Sequence, residues 1–523
     1  MNNKDILLDM IGETDEKLVP GLTTKRKKNN MIRWTALGGV CAAAIACAVI
    51  LPNVGGDKNP IVAANSLSDS TDSTDNASSV GDTANSSDNG SSDKGSEVPS
   101  RMAGAKAKVL CSAEYPDMPK YPDSSKITDM NELGALIEEW QKAQEELHDQ
   151  PEGYKDGFDT FFVNSAQTFL NNSSTENTVY SPLSLYMALG ISAEITDGNS
   201  RQQILDVLDQ SDIETLRSHS KSIWQANYMD DGMSKCILAT SFWTNSNAEY
   251  NSDTVNRLSD NYYTSVFTGD PVTDDYNKLY QDWLNAQTDG LLGDQVSELK
   301  LDPDMLLTIA STVNYCGKWE NTFMPEDTRQ ADFHAVGGDV QCDFMNAERV
   351  TGYAWGDHFS SISLPLENNG QMRLILPDEN YTPYDLLSNE QVQKLMLSAR
   401  DYQNSKAAIV TMSVPKFDVT SNIDLKDGLN ELGIKDIFDA GSADFTPLAD
   451  GAESIYISSA EQDTRVTIDE EGCKAVSMTI IGGKGGGAPD EHEEFILDRP
   501  FIFEIVSSTG LPLFVGVVND PAQ

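Results

Sequence analysis

Hydrophobic and polar positions follow different rhythms in successive parts of the chain. Residues 1–33 form a short polar stub that carries the basic cluster Lys25-Arg26-Lys27-Lys28. Trp34 to Leu51 then runs without a charge. As a helix this run would span roughly 27 Å, close to the hydrocarbon core of a bilayer. With the basic cluster ahead of it, 34–52 is predicted to be a single membrane-spanning signal-anchor, the stub cytoplasmic and the rest outside. A cleaved signal peptide is the alternative, with Val62-Ala63-Ala64 as a distant cleavage site behind an unusually long basic region. Residues 53–104 are Ser, Asp, Asn, Thr and Gly with almost no large apolar side chain, so they are expected to stay a disordered linker. From 105 to 523 the pattern is that of a folded domain. Met130–Gln144 and Gly157–Leu170 have helical apolar spacing, and helices are expected to dominate to about residue 305. Apolar strands follow at Leu306–Val313, Phe359–Leu366, Met372–Leu376 and Ala408–Val414. Helices segregated from largely antiparallel strands make an α+β domain.

Composition narrows the function by exclusion. A net charge of −45, with no basic patch beyond residues 25–33, argues against nucleic acid as a partner. The seven cysteines (Cys41, Cys47, Cys111, Cys236, Cys316, Cys342 and Cys473) form no Cys-x-x-Cys pair, and their scatter is not that of a disulfide framework. One isolated bridge at most would fit. Five histidines give no zinc-binding pair, and no Gly-x-Ser-x-Gly elbow is present. The glycine cluster Gly482–Gly487 has Gly485 after Lys484, where a phosphate loop needs Ser or Thr. No metal, cofactor or catalytic constellation is expected, and the chain is read as a non-enzyme.

The most informative stretch lies near the C-terminus. Thr467-Ile468-Asp469-Glu470-Glu471-Gly472-Cys473-Lys474-Ala475 leads through the glycine cluster to Leu497-Asp498-Arg499-Pro500-Phe501. A long loop inside a compact domain is uncommon and tends to be functional. Were Gly472–Ile481 to become a strand, Cys473, Ala475, Ser477 and Thr479 would share one side, all small and uncharged. That set could slide under a covering layer without overpacking. A surface hairpin with one small-residue face is the plainer alternative.

This frame resembles the hinge, reactive loop and C-terminal strands of the serpins, the suicide inhibitors of serine proteases. Asn177-Thr-Val-Tyr-Ser181-Pro182-Leu-Ser184-Leu-Tyr-Met-Ala-Leu189, Gly198-Asn-Ser200, Trp283–Gly290, Ser311–Phe323, Pro415-Lys416-Phe417 and Leu511–Pro521 resemble further serpin segments in order and spacing. The resemblance implies the serpin fold: helices on a large, mostly antiparallel sheet, two further sheets and an exposed reactive loop. A bacterial-type, membrane-anchored or secreted member is expected, monomeric, with its domain extracytoplasmic.

The resemblance also implies a mechanism and its residues. A serine protease would cut the loop and form an acyl ester, and strand insertion would trap that covalent complex. Glu470, Glu471, Gly472, Cys473, Ala475, Ser477 and Thr479 are the hinge. Ser181, Ser184, Ser311, Trp319 and Gln462 line the region where the sheet opens. Gly486-Gly487 is the expected scissile bond, with Lys484 as its rival. Glycine there suits an elastase-like or subtilisin-like protease. Two positions of the sheet-opening region depart from the family pattern, Ser311 where asparagine is usual and Gln462 where histidine is common; in the hinge Cys473 replaces the usual threonine or serine, Lys474 an acidic residue, and Val476 and Met478 interrupt a stretch usually rich in alanine. A non-inhibitory member, acting as a surface binding module on the same scaffold, is the alternative function.

Overall fold

A computed structural model describes residues 40–50, by backbone alone, and 108–523 apart from 123–125, 128, 172–174, 233, 450–454 and 473–490. The fold is α+β, with two large sheets and helices packed on them.

The strands in chain order are β1 (Val40–Ile50), β2 (Lys108–Cys111), β3 (Thr178–Tyr180), β4 (Met229–Asp230), β5 (Lys235–Asn245), β6 (Thr264–Gly269), β7 (Met305–Cys316), β8 (Arg329–Ala335) and β9 (Gly338–Gly356). They continue as β10 (Phe359–Pro365), β11 (Gln371–Pro377), β12 (Ser405–Pro415), β13 (Phe417–Asp424), β14 (Tyr456–Ile468), β15 (His492–Ile496), β16 (Phe501–Val506) and β17 (Pro512–Val518). The first sheet has the order β13-β14-β1-β7-β5-β6-β2, with β4 on β5. Its pairs are antiparallel except β5 with β6. The second sheet has the order β15-β12-β9-β10-β11-β16-β17-β3, with β8 on β9, and only β12 with β15 is parallel. The two smaller sheets expected from the sequence are continuous here through β9, which pairs with β8, β12 and β10 along its length.

Met130–His148 (α1) and Phe158–Leu170 (α2) are helices close to the expected bounds. Helix α3 (Pro182–Glu194) begins with Ser181 as its cap, the hydroxyl accepting from the Ser184 amide, and with Pro182 in the first turn, where a missing N–H costs nothing. Every residue of α3 is buried, so it runs as an apolar rod beneath the first sheet. Its last residue, Glu194, is a buried carboxylate at the unfavourable end of the helix dipole. Two cations offset it: Arg217 of α5 (Ile213–Asn227) at 2.6 Å and Arg257 of α6 (Ser252–Tyr262) at 2.5 Å, following α4 (Gly198–Val207). Helix α7 (Asp274–Gln287) lies on the other face of the sheet, where Tyr276, Tyr280 and Trp283 pack around Trp243.

Three expectations need correction. Residues 40–50 of the expected membrane helix form strand β1, and among the described residues no helix is long and apolar enough to cross a membrane. An uncharged run of alanine, cysteine, valine and isoleucine suits a central strand as well as a bilayer, because both environments need only apolar side chains and a fully bonded backbone. The region before residue 305 is not predominantly helical, since β5 crosses the middle of the first sheet. The nineteen-residue β9 was not foreseen either. The stub and the linker lie outside the described residues, and regular structure resumes at Lys108.

Candidate functional site where the first sheet opens

Strands β7 and β14 run side by side but do not pair with each other; a strand-wide slot separates them, and β1 fills it. Because β7 and β14 run in the same direction, a strand in this slot has the same sense against both, and β1 is antiparallel to both. Beneath the middle of the slot, α3 holds each neighbour through side chains. On the β14 side, the Ser181 amide donates to Gln462 Oε1 at 2.9 Å and Gln462 Nε2 donates to the Ser181 carbonyl at 3.1 Å. On the β7 side, Ser184 Oγ and Ser311 Oγ lie 3.2 Å apart, and Ser311 Oγ also reaches the Ser184 carbonyl at 3.2 Å. All four residues are buried, so each of these bonds replaces water that cannot enter. The two departures from the family pattern in this region, Ser311 and Gln462, therefore complete the polar cluster.

The hinge emerges from the end of β14 at the mouth of the slot. Trp319 is buried and donates its indole N–H to the Asp469 carbonyl at 2.8 Å. The Phe323 amide bonds the Glu470 carbonyl at 3.0 Å. Lys416 reaches Glu470 Oε2 at 2.8 Å, and the Thr328 hydroxyl donates to Oε1 at 2.8 Å. Burial alone would push the Glu470 carboxyl up, but Lys416 and Thr328 outweigh it and hold the group below the ordinary glutamate range. Burial raises the neighbouring Asp469 carboxyl instead. Glu471 donates its amide to Asp469 Oδ1 at 2.9 Å.

Among the described hinge positions, Gly472 is the one where geometry requires glycine. Its φ is +76°, and a Cβ there would lie 2.6 Å from the Trp319 amide nitrogen and 2.7 Å from the Lys318 Cα. The far end of the loop is tied to the second sheet. Ile409 of β12 donates its amide to the Glu491 carbonyl at 2.9 Å, and β15 continues along β12. Lys406 bridges Glu491 at 2.5 Å and Glu493 at 2.6 Å.

The structure thus gathers Ser181, Ser184, Ser311 and Gln462 into one cluster and places Trp319, Glu470 and Gly472 at the slot's mouth. Cys473, Ala475, Ser477 and Thr479, with Lys484, Gly486 and Gly487, lie outside the described residues. The Glu470 clamp formed by Lys416 and Thr328 escaped the sequence reading, as did β1. The Pro415-Lys416-Phe417 segment offered a hint, since Lys416 is the one cation between the apolar ends of β12 and β13. Among the described residues no cluster of metal-ligating side chains occurs, and no disulfide joins Cys111, Cys236, Cys316 or Cys342.

The family model Serpin (serine protease inhibitor) matches residues 157–521, more than half of the chain. The chain belongs to the serpin family. Alpha-1-antiproteinase of Rattus norvegicus is 25% identical over 405 residues, covering 74% of this chain and 95% of the relative. Plasminogen activator inhibitor 1 of Neovison vison is 29% identical over 251 residues, 46% of this chain and 61% of the relative. Among solved serpins, native tengpin, a thermophilic serpin, superposes with a TM-score of 0.61 at 24% identity, covering 71% of this chain and 95% of that one. Human thyroxine-binding globulin does so with a TM-score of 0.60 at 19% identity, covering 72% and 99%. These likenesses establish the fold. The matched region begins near α2, so β1 lies outside it.

Proposed function

We propose that the protein inhibits a serine protease as a suicide substrate. The protease cuts the loop between Gly472 and Glu491 and is held as its acyl ester while the loop's hinge side enters the first sheet. One observation carries the reading: β14 runs directly into the hinge, and the strand seated in the slot beside β14 is antiparallel to it, the sense a chain turning back from the hinge would have. A chain that reverses at Gly472 enters that slot in the right sense. The small residues at Cys473, Ala475, Ser477 and Thr479 support passage beneath α7. Gly486-Gly487 as the cut bond points to an elastase-like or subtilisin-like target, and the protein acts as a monomer.

The test is incubation of the chain with Val40–Ile50 displaced from the slot, by Ala43→Pro with Ala46→Pro, with a panel of serine proteases. An SDS-stable complex, with release of a C-terminal peptide starting within 482–490, is the expected result. Clean cleavage at the loop by every protease, with no complex, would overturn the inhibitory reading. A non-inhibitory binding module on the same scaffold is the second reading, favoured by one observation: the slot is already filled by β1.

A further inference from the structure

The strand that fills the slot comes from the other end of the chain. Val40–Ile50 pairs with β7 from Cys316 to Met305 and with β14 from Val466 to Tyr456. Its N-terminal end stands at the mouth: Val40 is in register with Cys316, three positions before Trp319, and Cys41 with Val466, two before the end of β14. Ile45 takes the central position between Ser311 and Gln462, the two residues that bond α3. Register is regular from Val40 to Ala48 and shifts only at Val49 and Ile50, at the far end. The sequence suits the place. It has no charge, and Ala42, Ala44, Ala46 and Ala48 repeat a small side chain at alternate positions, as the hinge does with Cys473, Ala475, Ser477 and Thr479.

We infer that Val40–Ile50 is an internal stand-in for the reactive loop, and that its presence in the slot excludes the loop. The segment and the loop run in the same sense, enter by the same mouth and use the same two ladders, so one slot cannot hold both. With β1 seated, both flanking edges are paired, and cleavage of the loop brings no new backbone pairing. The protein in this state is a substrate. Withdrawal of the segment leaves β7 and β14 with unpaired edges and makes insertion favourable. The occupancy stands on the strand register alone; its consequence for inhibition rests on the function proposed above.

Both halves are testable on the full chain. Ala460→Cys introduces a thiol opposite Cys47, since directly opposed residues of an antiparallel pair lie close to disulfide reach. Mild oxidation is expected to give the peptide linking positions 47 and 460 as a major product by mass spectrometry, lost when Cys47→Ser is added. Absence of that peptide overturns the occupancy. In a second variant, Ala43→Pro with Ala46→Pro removes two ladder donors from a strand paired on both sides. Added to Ala460→Cys, it is expected to abolish the link.

The unfolding temperature is then compared before and after the loop is cut. The wild-type chain should hardly change, whereas the double-proline chain should rise by roughly 10 °C or more as its loop inserts. An equal rise in both overturns the exclusion, and so does no rise in either. A rise confined to the proline variant, with no SDS-stable complex from any protease, upholds the exclusion and refutes only the inhibitory reading.

Discussion

Gln462 and Ser181 exchange two hydrogen bonds, at 2.9 and 3.1 Å, and so fasten the middle of β14 to the cap of the buried helix α3. An amide is suited to this work because it offers a donor and an acceptor from one plane. Gln462→Ala takes the acceptor from the buried Ser181 amide and leaves the Ser181 carbonyl only the Leu185 amide at 3.2 Å, at a cost of about 1–3 kcal/mol. The variant should unfold at lower denaturant concentration and, in the Ala43→Pro, Ala46→Pro background where β1 does not compete, convert more readily to a loop-inserted form, seen as a faster-migrating, cleavage-resistant band on native gels. Unchanged stability would mean that water or a neighbour takes over both bonds.

The hinge clamp gives a pH signature. The Glu470 carboxyl titrates below its ordinary value of 4.5 because Lys416 and Thr328 favour its charged form. A depressed acid stabilises the fold above its unfolded pKa, and that contribution fades as the pH falls through the lower folded value. The window is therefore acidic, below about 4.5. Asp469, raised by burial, works in the opposite direction, so the comparison must be between variants. Lys416→Met should cost on the order of 1 kcal/mol at neutral pH. It should cost progressively less on acidification, as measured by denaturant midpoints from pH 7 to pH 3. A pH-independent difference would show that Lys416 acts through packing alone.

How much of this site could be read from the chain depends on how local its causes are. The start of α3 was legible because Ser181 and Pro182 are adjacent cap and first-turn signals. Strand β5 was not: Cys236 and Leu238 to Thr244 are all buried, so it shows no alternation. β9 failed for the opposite reason, being half exposed and rich in polar residues. The Glu470 clamp joins residues far apart in sequence, and no spacing rule anticipates a pair of charges on different strands. Val40–Ile50 was ambiguous in kind. Eleven uncharged apolar residues meet the needs of a membrane helix and of a central strand equally, and only the slot between β7 and β14 distinguishes them.

Gly472 carries a prediction free of any assumption about inhibition. With φ at +76° and its Cα against the Lys318–Trp319 backbone, it has no room for a side chain. Gly472→Val should cost roughly 2 kcal/mol or more, since it combines left-handed strain with a backbone clash. The hinge would shift away from Trp319 and loosen the Asp469 bond. Trp319 fluorescence should move to longer wavelength, and limited proteolysis near residue 472 should accelerate. An unchanged spectrum and digestion pattern would show that the hinge absorbs the branch elsewhere.

Insertion depends on the small-residue side of the hinge. Under the proposed mechanism, Ser477→Arg or Ala475→Arg should leave the loop cleavable but turn the inhibitor into a substrate, because an inserted arginine would bury an unpaired charge. The ratio of cleaved chain to SDS-stable complex should rise at least tenfold. It is best measured in the Ala43→Pro, Ala46→Pro background, where β1 does not compete. An unaltered ratio would mean that this side of the hinge stays outside the sheet.

The scissile bond decides the protease class. Gly472 packs on the Lys318–Trp319 backbone and the Glu491 carbonyl is bonded by the Ile409 amide, and under the proposed mechanism the cut falls between these two anchored ends. The serpin spacing from Glu470 leads to Gly486-Gly487. Glycine before the bond gives a protease no side chain to grip, which disfavours deep specificity pockets and suits a small or tolerant one. Lys484 is the rival, because its ammonium would fit an acidic pocket of the trypsin type. Its use would shorten the inserted strand by two residues, and a weaker pull gives water time to hydrolyse the ester. Trypsin-like enzymes are therefore expected to cut at Lys484 with little complex, and elastase-like or subtilisin-like enzymes to be trapped after Gly486. Mass spectrometry of the released C-terminal fragment separates the two: Gly487 as its first residue in the trapped complex supports this assignment, and Gly485 there reverses both the bond and the class of target.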